Sequence, residues 1–316
     1  MKKRILVTGA AGFIGCHLAR FLHKRGDYVV GYDNFNDYYS PQLKESRAKQ
    51  LQDLGIEVHL GDICNEKLLN DVVEKHEITH IAHLAAQPGV RYSLINPQAY
   101  VKSNIEGFLN ILELCRNRPT IKLTYASSSS VYGLNDKTPF SESDRTDNQA
   151  SLYGATKKSN EQFASTYHHL FGISVTGLRY FTVYGPWGRP DMAYYSFVEA
   201  ILEGRPIEVY NHGKLKRDFT YIDDIIDGTV AAIDLEADCE VFNLGNHRPV
   251  KLMDFLRIVE DSVGKKAKME FLPMQPGDVF ETYADIAHSQ EKLGFFPKTT
   301  LEEGIPKFVE WYKQYL

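Results

Sequence analysis

Short apolar, β-branched runs alternate with amphipathic stretches over the first 180 residues of the chain. RILVT (4–8), YVVGY (28–32), EVHL (57–60), HIAHL (80–84), KLTYAS (122–127) and SVTGLRY (174–180) read as strands buried on both faces. Between them, 13–25, 65–75, 98–116 and 151–171 carry apolar positions at helical spacing. This alternation predicts an α/β fold, a doubly wound parallel sheet of Rossmann type covered by helices on both sides. After Phe181 the alternation weakens, and helices over 193–203, 222–234, 251–263 and 301–313 mix with short strands such as IEVY (207–210). A smaller C-terminal α/β lobe is expected there. The expected division is 1–182 for the sheet domain, rejoined by about 218–245, and 183–316 for the second lobe. No repeat or Pro/Ser-rich linker separates them.

Composition narrows the function classes. With 316 residues, net charge −5 and a pI near 6.1, the chain offers no global basic field, so nucleic acid is not an expected partner. The four cysteines, Cys16, Cys64, Cys115 and Cys239, have no CxxC spacing and fit a reduced protein. The eleven histidines show no HxxxH or HExxH spacing, so no metal is expected. No 18-residue apolar run occurs, and the apolar run in MKKRILVTG is too short for a signal peptide. A cytoplasmic protein without membrane contact is the expectation.

The first candidate chemistry follows the first strand. RILVT runs into GAAGFIG, with Gly9, Gly12 and Gly15 opening a helix in which Phe13 and Ile14 also face the turn. The spacing is GxxGxxG rather than GxGxxG, but the physics is shared. Glycines let the backbone approach a pyrophosphate, and the helix N-terminus offers it unpaired N–H groups and a positive dipole end. Eighteen residues beyond Gly15, Asp33 ends the second strand, where its carboxylate can accept from a ribose 2′-hydroxyl and repel a 2′-phosphate. The implied cofactor is NAD. Asn34 beside it, Asp62 and Ile63 after the third strand, and Leu84, Ala85 and Ala86 after the fourth complete the expected cofactor contacts.

A second constellation is SLYGATKKSNE, 151–161. Tyr153 and Lys157 are four apart and share a helix face. A phenol titrates near 10 when free, and a neighbouring ammonium with a bound nicotinamide ring favours the phenolate, which can take a proton from an alcohol. One strand earlier, YASSSSVYG supplies a hydroxyl to orient the same substrate oxygen.

Together these elements resemble the extended short-chain dehydrogenase/reductase family, in particular its nucleotide-sugar epimerases and dehydratases. VTGAAGFIG, HLAAQPGVRYS, ASSSSVYG, LYGATKK, LRYFTVYGP and RDFTYIDDI stand in the family's order over essentially the whole chain. The resemblance implies a UDP-sugar oxidised at C4 to a ketone, and a homodimer formed through 98–116 and 151–171. It makes Ser128, Tyr153 and Lys157 the catalytic set and places Asn104, in YVKSNIEGF, close to the cofactor. Arg217, in KRDFTYIDD, matches an arginine that meets the diphosphate, with Arg91 as a second such cation. Asp278 matches an aspartate near the uridine ribose. For both arginines a surface salt bridge is the alternative reading.

The family's branches differ in a few positions. Dehydratases resemble TDEVYG, and UDP-glucuronate decarboxylases carry a glutamate just before VYG, where this chain has Ser129 and Ser130. Without an acid to assist elimination, epimerisation remains: hydride out, rotation of the ketone, hydride back. Epimerases of neutral hexoses resemble RYFN and carry an arginine before the GD pair, where this chain has Thr182 and Gln275. The run TVYGPWGRPDMA instead resembles the branch acting on UDP-glucuronate and UDP-galacturonate. In that branch Arg189, with the hydroxyls of Ser127 and Thr182, is expected to hold the C5 carboxylate and restrain a β-keto acid from losing CO₂. The other reading is that Arg189 caps its own turn or pairs with Asp191. A non-catalytic NAD-binding scaffold would show a degenerate Ser–Tyr–Lys set, and here all three are present.

Overall fold

The computed structural model describes residues 2–275 and 277–315. From the N-terminus, β1 (Arg4–Thr8) passes through the glycine turn into α1 (Phe13–Arg25), followed by β2 (Tyr28–Asp33) and α2 (Pro41–Asp53). Next come β3 (Glu57–Leu60), α3 (Glu66–Lys75) and β4 (His80–His83). Two single-turn helices, α4 (Tyr92–Ile95) and α5 (Pro97–Tyr100), lead through a π-helical stretch (Val101–Glu106) into α6 (Gly107–Asn117). Then β5 (Lys122–Ser128) ends in a 3₁₀ turn (Ser129–Tyr132), and α7 (Leu152–Phe171) and β6 (Ser174–Tyr180) follow.

The remaining chain holds β7 (Thr182–Tyr184), α8 (Ala193–Glu203), β8 (Pro206–Val209), β9 (Lys216–Tyr221) and α9 (Ile222–Leu235). It continues with β10 (Cys239–Leu244), β11 (Pro249–Lys251), α10 (Leu252–Val263) and β12 (Lys268–Phe271). It finishes with α11 (Ala287–Leu293) and α12 (Leu301–Tyr315).

Seven strands form one parallel sheet in the order β10-β6-β5-β4-β1-β2-β3. The strand order reverses between β1 and β4, which opens a crevice at the carboxyl ends of the strands. Successive side chains of β1 go to opposite faces. Leu6 joins Val30, Ile81, Leu123 and Val175 in a core with α3, α6 and α7, while Ile5 and Val7 join the core that includes α1 and α9. Both faces are therefore dry along the central strands, as the continuous apolar runs require; β3, expected as a buried strand, is instead the sheet edge, with Glu57 and Leu60 exposed. The later segments build a three-stranded sheet, β11-β9-β7, and a β12–β8 pair, with α8, α10 and α12 packed around them. β10 returns from this region to pair with β6 in the large sheet.

Two elements differ from the sequence expectation. The apolar pattern assigns nothing between the second and third strands, yet 41–53 is helical; the buried face of α2 includes Lys44 and Arg47 beside Leu43, Ala48 and Leu51. The stretch 98–116 is expected as one helix and is interrupted by the π-helical turns at 101–106. Gly107 follows them and lies flat against Ile63, where a Cβ would approach within 2.4 Å of Ile63 Cδ1.

Candidate active site

A cleft of about 930 Å³ runs from the glycine turn, over the ends of β1, β4 and β5, to β9 and the 277–282 segment. At its first end, Gly12 is the N-cap of α1 and no side chain caps the helix, so its first-turn N–H groups face the cleft without a protein partner. Gly9 has φ +73°, and a Cβ there would stand 2.8 Å from the Ala85 nitrogen. A Cβ on Gly15 would lie 2.1 Å from the Gly9 carbonyl oxygen. Only glycine gives this close a turn. Asp33 closes the same end: Oδ2 accepts from Ala11 N at 2.9 Å and Oδ1 from Phe35 N at 2.9 Å, which fixes the carboxylate at the strand end. Phe13, Ile14, Asn34, Ile63, Leu84, Ala85 and Ala86 line this part. An uncapped helix N-terminus beside a fixed carboxylate suits a dinucleotide, so these residues fit NAD.

Asp62 stands behind the lining, its Oδ1 accepting from Cys64 N at 2.9 Å and its Oδ2 from Asn34 Nδ2 at 3.4 Å. Asn104 departs further from expectation. Its Oδ1 accepts from Gln87 N at 2.8 Å, and its Nδ2 donates to Gln87 O at 3.1 Å and Thr156 Oγ1 at 3.0 Å. Only 2 % exposed and with its amide satisfied by protein, Asn104 ties the 87 loop to α7 rather than facing the cleft.

Ser128, Tyr153 and Lys157 meet mid-cleft. Ser151 caps α7 by accepting from Gly154 N at 3.1 Å, which starts the helix so that Tyr153, Lys157 and Glu161 fall on one face. Burial pushes the Tyr153 phenol above its ordinary range; the Ser128 hydroxyl and the Arg189 charge pull the other way. Burial also pushes Lys157 down, to about 8, so it stays cationic at neutral pH. Its Nζ donates to the Ala126 carbonyl at 2.8 Å. At the phenol the Asp191 charge opposes that of Arg189. Ser127 is also turned from expectation: its hydroxyl donates to Glu161 Oε1 at 2.6 Å, although the residue lines the cleft. Glu161 in turn holds a buried two-point pair with Arg179, at 2.8 and 2.9 Å, which locks α7 to β6.

Arg189 lies on the cleft wall with Thr182. Its Nε and Nη2 donate to Asp191 at 3.0 and 2.8 Å, and Tyr38 donates to the same carboxylate at 3.1 Å. Burial alone would lower the pKa of Arg189, but the Asp191 charge and hydrogen bonds more than offset it and hold the guanidinium a permanent cation. Arg189 thus pairs with Asp191, as one of its two sequence readings expects, and also lines the cleft.

At the far end, Arg91 and Arg217 flank Asp278, with guanidinium nitrogens 3.8 and 3.9 Å from its oxygens. Two cations around one acid leave a net positive site, and all three residues line the cleft.

Sequence reading passed over Arg47. Completely buried on α2, it donates to the Ala11 carbonyl at 3.1 Å, to Trp187 O at 3.0 and 2.6 Å, to Gly188 O at 2.8 Å and to the Tyr39 hydroxyl at 2.7 Å. One guanidinium thus joins the glycine turn to the loop bearing Arg189, where Trp187 is held at φ +61°. Arg47→Lys keeps the charge but loses the fork. With each charge-assisted bond worth about 1.5–3 kcal/mol, NAD retention and kcat/KM are both expected to fall roughly tenfold or more. Cofactor content after gel filtration and initial rates check this; normal values for both would show that Arg47 does not tie the two loops.

A Rossmann sheet with an uncapped phosphate turn and a Ser–Tyr–Lys cluster defines an NAD-dependent oxidoreductase-type fold acting on an alcohol. The chain belongs to the NAD dependent epimerase/dehydratase family, whose model matches residues 5–245. It is 51 % identical to UDP-glucuronate 4-epimerase 4 of Arabidopsis thaliana, over 98 % of this chain and 75 % of that one. Among solved structures, UDP-glucuronic acid 4-epimerase of Bacillus cereus, in complex with UDP-glucuronic acid and NAD, superimposes with a TM-score of 0.93 at 38 % identity. That match covers 99 % of this chain and 100 % of the other. UDP-glucose 4-epimerase of Thermotoga maritima, with UDP-glucose, gives a TM-score of 0.88 at 30 % identity, covering 99 % of each chain.

Proposed function

We propose that this protein interconverts UDP-glucuronate and UDP-galacturonate at C4 through a 4-keto intermediate, using NAD that it does not release. The carrying observation is that Arg189 and Tyr153 line one cleft, with serines at 129 and 130 where an elimination would need an acid. When bound, NAD would supply the hydride acceptor and a positively charged ring. Tyr153 takes the C4 hydroxyl proton, Ser128 orients that oxygen, and Lys157 holds the cofactor's ribose side. Arg91 and Arg217 meet the diphosphate, and Asp278 the uridine ribose. Thr182 and Arg189 receive the uronate carboxylate. The Nη1 of Arg189 donates to no protein atom among the described residues and would be free to meet the carboxylate, while Asp191 holds the fork in orientation. Residues 1–182 with about 218–245 carry the cofactor, and the rest of 183–316 grips the nucleotide sugar.

Purified protein given UDP-glucuronate should yield UDP-galacturonate without net NADH, resolved by anion-exchange chromatography. Formation of a pentose nucleotide as the main product would place the enzyme with the decarboxylases instead. Asp33 carries cofactor choice: its carboxylate, fixed at the strand end, accepts from a ribose 2′-hydroxyl and repels a 2′-phosphate, with Lys44 as the neighbouring cation. Reconstitution of stripped enzyme is expected to favour NAD over NADP, and Asp33→Asn should narrow the difference. Equal use of both dinucleotides by the unaltered enzyme would remove that role.

We also infer a homodimer in the cytoplasm. The exposed apolar side chains Leu94, Ile95, Val101 and Leu109 cluster on the segment from α4 to α6, which supports pairing there. No helix among the described residues is long and apolar enough to cross a membrane.

A further inference from the structure

At the start of the edge strand β3, opposite the end that leads to Asp62, three side chains converge that the epimerisation chemistry does not use. Glu57 and His59 are alternate residues of β3 and share a face, and His76 is the C-cap of α3. His59 Nε2 lies 3.0 Å from His76 Nε2 and 3.1 Å from Glu57 Oε1, while His76 Nε2 lies 3.6 Å from Glu57 Oε2. Ligand atoms at about 2.0–2.1 Å from a tetrahedral zinc ion stand roughly 3.3–3.4 Å apart. The two histidine nitrogens and the Glu57 carboxylate, one oxygen toward each ring, come close to that spacing, and one ligand atom from each of the three residues lies within 4.8 Å of the others. Two imidazole nitrogens pointed at each other can share only one proton between them, whereas an ion accepts a lone pair from each.

The surroundings suit a metal as well. The Tyr28 hydroxyl is 2.7 Å from His76 Nδ1; with that nitrogen donating to Tyr28, Nε2 is the basic atom and the ring is held in orientation. Two cations oppose the metal, Lys75 and Arg4. The Nζ of Lys75 lies 2.8 Å from Glu57 Oε1 on a largely exposed side chain that can swing into solvent. The Nε of Arg4 donates to the His76 carbonyl at 2.7 Å. Glu57 is itself half exposed, which leaves a fourth position open to water. The absence of HxxxH spacing hid this cluster, because its histidines come from a strand and a helix end.

We propose that Glu57, His59 and His76 bind one divalent transition-metal ion of zinc type, with water as the fourth ligand, bracing the edge strand β3 against the end of α3. Two imidazoles and one carboxylate favour zinc, cobalt, nickel or copper over magnesium or calcium. The ion serves the fold: none of its three ligands lines the cleft, and epimerisation does not depend on it.

Chelator-treated, NAD-loaded full-length protein titrated with Co²⁺ should develop the intense visible absorption of four-coordinate cobalt, saturating at one equivalent and bleached by Zn²⁺. His59→Ala should abolish that band, and Tyr28→Phe should weaken binding roughly 10–100-fold by loosening His76. Zn²⁺ at a hundredfold excess over its Kd should raise Tm by roughly 3–6 °C in the unaltered protein and not in His59→Ala. Glu57→Gln, at an exposed position, serves as a second variant and should also lose the band, so a folding defect in one variant cannot decide the matter. The weak spectrum of six-coordinate cobalt, or equal binding by the unaltered protein and both ligand variants, overturns the proposal.

Discussion

Tyr153→Phe is expected to reduce kcat by roughly 10²–10⁴-fold while leaving NAD content and UDP-sugar affinity nearly unchanged. The substitution removes one oxygen and keeps the ring, which packs edge-on against Tyr100 at 6.1 Å, so the wall of the cleft should persist. The phenol carries the proton transfer and little of the ligand grip. Burial holds it protonated at neutral pH in the protein alone, and the Ser128 hydroxyl and Arg189 charge favour the phenolate without overcoming that burial. A positively charged nicotinamide ring, when bound, would favour the phenolate further, and kcat/KM is expected to rise with pH until the phenolate is fully formed. Lys157, cationic below about 8, should behave differently: Lys157→Ala should lose cofactor affinity as well as rate. Substantial turnover by Tyr153→Phe would dismiss Tyr153 as the base.

The second large effect is expected at Arg189. Losing a charge-assisted carboxylate contact worth roughly 1.5–3 kcal/mol should lower kcat/KM for UDP-glucuronate by about ten- to a hundredfold in Arg189→Ala. The products are more telling than the rate. A 4-keto uronate is a β-keto acid, and its carboxylate leaves as CO₂ when it turns out of the ring plane. With the guanidinium gone, part of the intermediate should decarboxylate to a pentose nucleotide, seen by mass analysis beside the epimer. Asp191→Asn separates holding the carboxylate from merely shaping the loop. It loosens the fork, 3.0 and 2.8 Å from Asp191, but keeps the cation, and should produce a smaller leak. If Arg189→Ala keeps normal kinetics and forms no pentose nucleotide, Arg189 is only the partner of Asp191 in its turn.

The sheet was readable in the sequence because strands buried on both faces are nearly continuous apolar runs; all six expected strands join the large sheet, and the one that is not buried, β3, lies at its edge. The glycine turn was readable for a related reason: Gly9 and Gly15 stand where a side chain has no room. What was hidden lay where burial and polarity part company. α2 escaped because its inward face carries Lys44 and Arg47, charges that read as a solvated surface until their partners are seen, Asn36 for Lys44 and the 187–188 loop for Arg47. Asn104 was placed in the right neighbourhood, but sequence does not say that both ends of its amide are consumed by Gln87 and Thr156. Arg189 could be read two ways, since a cation two residues from an acid does not reveal which way its fork points. The β3 histidine pair left no periodic trace because its members stand 17 residues apart on different elements.

The central claim is that one hydride leaves C4 of a uronate and returns to the opposite face of the same carbon. It is tested most directly with UDP-glucuronate carrying deuterium at C4, incubated with the purified enzyme in ordinary water and analysed by NMR and mass spectrometry. The expected product is UDP-galacturonate with the deuterium retained at C4, no label in solvent and no accumulated NADH. Loss of the deuterium to water, or a failure to form UDP-galacturonate while UDP-glucose is epimerised, would contradict it.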